Sequence, residues 1–284
     1  MKLRYTLEEI EKWRDRVHRR IPSRAVRSRT SALAFIKQVG FCFAFKSVNS
    51  ELPCLWHAAW GGRDPDLPRN THTDPLISFV WEMKDVLPAA GLVYYGRVLK
   101  RRPTFVSLEF FPYFFALTER SGTRVEYERA FRRGDISPSA RSIMEALVDS
   151  SPQLTRGLRL AVGMSAPRDR AEFDRAIAEL QMRMYIVKTA EQYNPFSFEW
   201  DLVHKVFARQ IRRARRISTQ EARCRILEQY FRNQLITSPT AIGRLFGWGR
   251  QEVFQALGSL VHTGVITPDV AVEGKRNGWY CLIH

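Results

Sequence analysis

Residues 170–189, RAEFDRAIAELQMRMYIVKT, pass from a helical pattern into a strand pattern with no Gly, Pro or Asn between them. Phe173, Ala176, Ile177 and Leu180 fall at i, i+3, i+4 and i+7 on one helical face, and Met184 to Val187 is a short apolar run rich in strand formers. Any fold for this chain must therefore hold a helix that feeds directly into a strand. The requirement recurs at residues 251–268, QEVFQALGSLVHTGVITP. There Glu252, Ala256, Leu260 and Ile266 take the places of Glu172, Ala176, Leu180 and Ile186.

The segments upstream also correspond. ISPSARSIMEALVDS (136–150) and ISTQEARCRILEQYF (217–231) each open with Ile-Ser, and each serine suits a helix N-cap. Pro138 suits the first helical position, and Glu221 is placed to complete a capping box with Ser218. SPQLTRGLRLAVGM (151–164) and SPTAIGRLFGWGR (238–250) read as short helices ended by Gly163 and Gly247. After the second copy, VITPDVAVEGKRNGWYCLI (265–283) reads as two strands joined by a Gly-Lys-Arg-Asn-Gly loop. The order helix, short helix, longer helix, hairpin is that of a winged helix. Nearer the N-terminus, RTSALAFIKQVG predicts a helix closed by Gly40, and DPLISFVWEMKDVLPAAG and SLEFFPYFFAL predict two more apolar-periodic segments. A third winged helix with longer loops fits there. The stretch 52–75, rich in Pro, Gly and Asp, reads as a long loop.

Forty-five Lys and Arg against twenty-nine Asp and Glu leave a formal charge of +16, a field that favours polyanions. The excess is most ordered in VHKVFARQIRRARRI (203–217). As one helix this segment sets Phe207, Ile211 and Ala214 on one face and Lys205, Arg209, Arg212 and Arg216 on the other, with Arg213 beside them. Repulsion within such a stripe is relieved against phosphates. The helix of the second repeat turns Arg250, Gln251, Gln255 and His262 outward, and Lys275 and Arg276 sit at the hairpin tip. The first repeat instead turns Glu172, Asp174 and Glu179 outward, so its third helix is expected to be scaffold and not a groove reader. Lys100-Arg101-Arg102 and Arg132-Arg133 are smaller basic clusters.

Chemistry is less visible. The phosphate-binding loop, the dinucleotide fingerprint and the His-Glu-x-x-His helix are all absent from the sequence, and the four cysteines, Cys42, Cys54, Cys224 and Cys281, lack metal-site spacing and read as buried thiols. No metal and no cofactor are expected. His57, Asp64, Asp66, His72 and Asp74 share one stretch and are the candidates for acid-base catalysis. The opening MKLRYTLEEIEKWRDRVHRR reads as a helix capped by Thr6 and Glu9, not as a signal peptide, and no apolar run reaches membrane-spanning length. A cytoplasmic location is expected.

At LPCLWHAAW, DVLPAAGLVYYGRVLKRRPTFVSLEFFPYFFAL, AELQMRMYIVK and DLVHKVF the chain resembles the AlkZ/YcaQ-like family of interstrand-crosslink repair DNA glycosylases, in particular its AlkZ-related branch. The likeness runs from about residue 25 to the end. It implies tandem winged helices, duplex DNA as partner and an association with repair. The family's glycosylases also carry a C-terminal β-barrel and a Gln-x-Gln or Gln-x-Asp motif after an early helix. This chain departs on both points: its last residues finish a hairpin, and Gly40 to Phe45 read Gly-Phe-Cys-Phe-Ala-Phe, three phenylalanines at alternate positions that predict a buried strand. Gln38 lies nearby without a partner at the required spacing.

The sequence thus predicts an α-rich α+β protein of three tandem winged-helix domains without a C-terminal β-barrel. An N-terminal helical extension covers 1–29, a first, divergent winged helix 30–130, a second 131–202, and a basic linker helix with the third 203–284. The expected function is duplex DNA binding in repair or protection of alkylated or crosslinked DNA. The rivals are an active glycosylase with replaced catalytic groups and a transcription regulator holding a specific operator.

Overall fold

A computed structural model describes residues 3–45, 52–65 and 73–283. The chain opens with β1 (Arg4–Tyr5) and α1 (Leu7–Val17), the latter closed at its start by the full Thr6/Glu9 capping box. One arrangement then occurs three times. Its first copy is α2 (Arg29–Val39), β2 (Phe41–Phe43), α3 (Leu55–Trp60), α4 (Pro75–Ala89), β3 (Val93–Leu99) and β4 (Arg102–Ser107). Two helices, α5 (Phe111–Ala116) and α6 (Glu126–Arg132), lead to the second copy: α7 (Pro138–Asp149), β5 (Gln153–Leu154), α8 (Thr155–Ala161), α9 (Arg170–Met182), β6 (Ile186–Tyr193) and β7 (Phe196–Leu202). After α10 (Val203–Val206) and α11 (Ala208–Ala214) the third copy is α12 (Thr219–Gln234), β8 (Ile236–Thr237), α13 (Pro239–Phe246), α14 (Arg250–His262), β9 (Ile266–Val272) and β10 (Trp279–Leu282).

Each copy folds its short first strand onto its last, giving strand orders β2-β4-β3, β5-β7-β6 and β8-β10-β9. The first helix of every copy is capped by a serine, Ser28, Ser137 or Ser218, accepting from a backbone N–H three residues on. Glu221 supplies only that N–H, so the capping box expected at Ser218 is half formed. The passage from third helix to strand uses a left-handed residue in all three copies: Gly91, Gly264 and, in the second, Met184 at φ 55. A side chain there costs about 1–2 kcal/mol relative to glycine.

The stretch 52–75, expected as loop, contains a helix. In α3, Leu55, Trp56, His57, Ala58 and Ala59 are all buried, leaving no polar face to betray a helical period. Strand β2 is buried as its alternating phenylalanines predict. Gly40 ends α2 at φ 76, and a Cβ there would come within 2.8 Å of the Phe110 ring.

The second copy keeps its own core, around Ile143, Phe173, Leu180 and Trp200. The first copy has one around Phe35, Trp56, Val80 and Phe105, while a larger core runs from Phe41 and Phe43 through α5 into α12, α13 and α14. The first and second copies are pinned together by Lys188, whose Nζ donates to Asp85 (2.8 Å) and to Glu191, with Lys84 bridging the same two carboxylates at 2.7 Å each. Among the described residues, no helix is long and apolar enough to cross a membrane.

The first and third copies are clasped by the N-terminal segment. β1 pairs in parallel with β9, Arg4 opposite Ala271 and Tyr5 opposite Val272. The last carbonyls of α12 are met by Trp13 Nε1 on Arg232 (3.1 Å), His18 Nε2 on Asn233 (2.9 Å) and Arg14 Nε on Gln234 (3.4 Å). Asn233 Nδ2 in turn donates to the Val39 carbonyl at 2.8 Å. His18 is buried, and burial, aided by the Arg20 and Arg14 charges, holds its pKa well below the ordinary 6.5.

His18 therefore stays neutral in the fold and gains a proton on unfolding below pH 6.5. Unfolding free energy should fall as pH drops below that value, by up to about 1.4 kcal/mol per pH unit for this one group. Urea titrations between pH 7.5 and 5.5 measure it (~2 units spanning the window). In His18→Gln, whose amide N–H can replace the donor, the dependence should flatten, leaving the smaller share of His204, which partial burial lowers in the same sense.

Candidate nucleic-acid interface

The basic segment 203–217 is not one helix. It breaks at Phe207 (φ −113, ψ 31), which ends α10 and starts α11, so Lys205 lies off the axis that carries the arginines. The break brings the Phe207 ring onto Phe111, stacked at 4.6 Å, and against Tyr94 at 5.5 Å. Burial otherwise follows the expected faces: Phe207, Ile211 and Ala214 are inside, and Lys205, Arg209, Arg212, Arg213 and Arg216 are exposed. Two of these have internal partners, Lys205 Nζ on Ser151 Oγ (2.6 Å) and Arg213 Nη2 on Tyr113 Oη (3.2 Å). Among the described residues, Arg209, Arg212 and Arg216 have neither a hydrogen bond nor an ion pair through their side chains.

A second basic region lies in the third copy. A cleft of about 710 Å³ between α13, α14 and the β9–β10 loop is lined by Arg244, Trp248, Arg250, Phe254 and Asn277. Arg250 lies over the Phe254 ring at 5.7 Å, and Phe254 stays 44% exposed. Lys275 and Arg276 are exposed in that loop, which Trp279 Nε1 fixes by donating to the Arg276 carbonyl at 2.8 Å. Gln251 and Gln255 are exposed along α14 outside the cleft, and Glu252 is withdrawn from it, paired with Arg223 and accepting from the Gly249 N–H at 2.7 Å. The cleft thus joins Arg250 to the loop, while the α11 arginines line no part of it. Arg244, Trp248 and Phe254 were not legible as site residues, because the cleft exists only once α13, α14 and the loop are folded together.

In the second copy, the acids of α9 are not free on its outer face. Glu172 accepts from Ser139, and Glu179 accepts from the Ser137 N–H (3.1 Å) and Oγ (2.7 Å). They fasten the N-terminus of α7. Asp174 does face outward, 3.8 Å from Arg170.

The proposed acid-base residues fall in different settings where they are described. His57 is buried on α3, Asp64 is exposed, and Asp74 caps α4 by accepting from the Leu76 and Ile77 N–H groups at 3.0 and 2.7 Å. Asp66 and His72 lie outside the described residues. Among the described residues, no three His, Cys, Asp or Glu side chains gather as a metal site would require.

Strand β2 offers no substitute. Phe41, Cys42, Phe43 and Ala44 are 0, 0, 1 and 0% exposed. Burial, with Cys54 adding to it, pushes the Cys42 thiol well above its ordinary range, so it is not a thiolate nucleophile. Cys54 and Cys281 are buried as expected, whereas Cys224 is only half-buried. Gln38 is exposed on α2 and its Oε1 accepts from Arg19 Nη2 at 3.0 Å.

These features define the class: an α+β protein built by repeating one helix-and-sheet unit, with cations gathered at a groove and at hairpin tips and no metal-binding cluster of His, Cys, Asp or Glu among the described residues. The particular family follows from comparison. The chain belongs to the AlkZ-related family, whose model matches residues 26–247. In structure it is similar to the DNA glycosylase AlkZ of Streptomyces sahachiroi, with a TM-score of 0.61 and 13% identity over 99% of this chain and 70% of that one. At that identity the likeness is one of fold. Comparison with curated proteins finds no match.

The β3–β4 hairpin turns on Lys100 and Arg101, both left-handed (φ 48 and 57), where Asn-Gly would sit without strain. Keeping two cations there costs stability. Lys100→Asn with Arg101→Gly should therefore raise the unfolding free energy by about 1–2 kcal/mol. The same double variant should elute from a heparin column at lower salt.

Proposed function

We propose that the three copies are winged helices and that the protein binds duplex DNA, in the repair or protection of alkylated or crosslinked DNA, without excising the base. The arrangement of helices and the sheet order of each copy support the winged-helix reading. The +16 charge, the unpaired Arg209, Arg212 and Arg216, and the cleft with Arg244 and Arg250 beside the basic hairpin loop support DNA as partner. Membership of the AlkZ-related family supports the link to repair.

The single observation that carries the binding-only reading is strand β2. Cleavage of an N-glycosidic bond needs a group that positions water and charge that stabilises the sugar cation. The resemblance places the glycosylases' paired polar residues after this early helix, where the chain has a dry apolar strand. An amide or carboxylate put there would cost several kcal/mol, on the order of 2–7, unless paired.

Binding to a random-sequence duplex should fall steeply with salt, with a slope of log K against log salt of about −4.5, the value for about five phosphate contacts. Arg209→Glu with Arg212→Glu should make that slope shallower by about 2 and weaken all sequences alike. Gln251→Ala should leave the slope and change only sequence preference. A flat salt response in the unmodified protein would remove the electrostatic argument. A preference of about 4 kcal/mol or more for one sequence would favour an operator-binding regulator instead.

DNA carrying N7-alkylated guanine or a nitrogen-mustard crosslink tests catalysis directly, with an AlkZ-type enzyme as positive control. The expected result is retention of the DNA on a filter with no alkali-labile breaks above a heat-inactivated control. Base release that persists in Gln38→Ala and disappears in His57→Ala or Asp74→Ala would overturn the reading and place an active site near α3 and α4.

A further inference from the structure

A cavity of about 220 Å³ with a mixed polar and apolar lining opens where the three copies meet. Leu99 at the end of β3, Phe114 of α5, Met182 at the end of α9, Met184 just after it, and Phe246 and Trp248 at the α13–α14 turn contribute to its walls. Trp248 is partly exposed and lies flat on Phe246, with centroids 4.6 Å apart and planes 20° apart. Phe41 and Tyr230 brace Phe246 edge-on at 6.1 and 5.3 Å. The indole is therefore a supported aromatic face.

Three observations mark the cavity as built for a ligand of one kind. Trp248 also lines the cleft that holds Arg244 and Arg250, and Leu99 is followed directly by Lys100 and Arg101, so exposed cations neighbour two of the lining residues. Met184 is 2% exposed and keeps a left-handed backbone (φ 55) where the other copies use glycine, which retains a polarizable side chain in the wall at the expense of the turn. One polar group at the wall, Thr118 Oγ1, is occupied in donating to the Phe115 carbonyl at 2.7 Å. The site thus combines aromatic and thioether surface with polar lining inside and cations nearby. At about 30 Å³ per water in the liquid, it has room for about seven waters, roughly one nucleobase.

We propose that this cavity receives a single unpaired nucleobase from bound duplex DNA, stacked on Trp248, while Lys100, Arg101, Arg244 and Arg250 hold the neighbouring phosphates. The proposal rests on the DNA-binding reading above and names the feature of the duplex that the protein selects: an unstacked base of any identity, since stacking is tolerant of sequence. The cations supply charge complementarity for the backbone, and the Trp248 indole takes the face of the base.

The test compares two fluorescein-labelled duplexes of equal length, one fully paired and one with a single-nucleotide bulge, titrated with the full chain. The unmodified protein should bind the bulged duplex about tenfold tighter, within what base–aromatic stacking supplies. Trp248→Ala should abolish that preference, and because the indole also lines the Arg244 and Arg250 cleft it should weaken both duplexes as well. Met182→Trp, which fills the cavity without removing the indole and lies outside the basic cleft, should abolish the preference and leave paired-duplex affinity within about twofold, and it decides the matter if Trp248→Ala does not fold by circular dichroism. Equal binding of both duplexes by the unmodified protein, or a preference that survives in a folded variant, overturns the cavity's role and leaves DNA binding standing. Binding to neither duplex overturns both readings.

Discussion

Strand β2 is the constraint on which the rest of the molecule depends. Its alternate side chains enter two different cores: Phe41 and Phe43 face the large one shared with the third copy, while Cys42 and Ala44 face that of the first. The strand cannot shift by one residue without exchanging both sets. Gly40 allows it to lie under the Phe110 ring, and Phe41 touches Phe110, Phe114 and Phe246 edge-on, so α5 and α13 of the third copy are aligned by one side chain of the first. That service is incompatible with hydration. A strand that welds two cores has no water to offer a reaction, and its apolar residues follow from its mechanical role as directly as from any loss of catalysis.

Much of the frame was legible from short-range chemistry. Ser137 with Pro138, Ser218, Gly247 and the apolar positions of α9 and α14 are local signals, and each does in the fold what its residue type does in isolation. Where reading failed, a partner distant in sequence had overruled the local pattern. Nothing in VHKVFARQIRRARRI signals a break, because the break serves Phe111 and Tyr94, about a hundred residues earlier. The absence of glycine in QMRMYIVK looked like continuity, yet Met184 adopts the glycine conformation.

The candidate site divides in the same way. Its charges were visible, since Arg209, Arg212, Lys275 and Arg276 need only be exposed to matter. Its shape was not. Helical projection correctly turned Glu172 and Glu179 away from the axis of α9, but only the position of α7 makes them ligands of Ser139 and Ser137. Trp248 reads in sequence as one more aromatic beside a glycine, and its place between a basic cleft and a second cavity depends on the first and third copies being docked.

The clasp has a consequence for how the molecule is made. Arg4 and Tyr5 are synthesised long before their partners, Ala271 and Val272, which follow them at the far end of the third copy. During translation the second copy can condense as soon as it emerges, since its core is its own. The large core must wait for α12 to α14, and α1 must wait with it, its Trp13 and His18 without the carbonyls they serve. Such long-range closure is slow relative to local folding. Until it completes, β9 presents an unpaired edge, so the nascent protein passes through a stage in which its greatest hazard is association with its own kind.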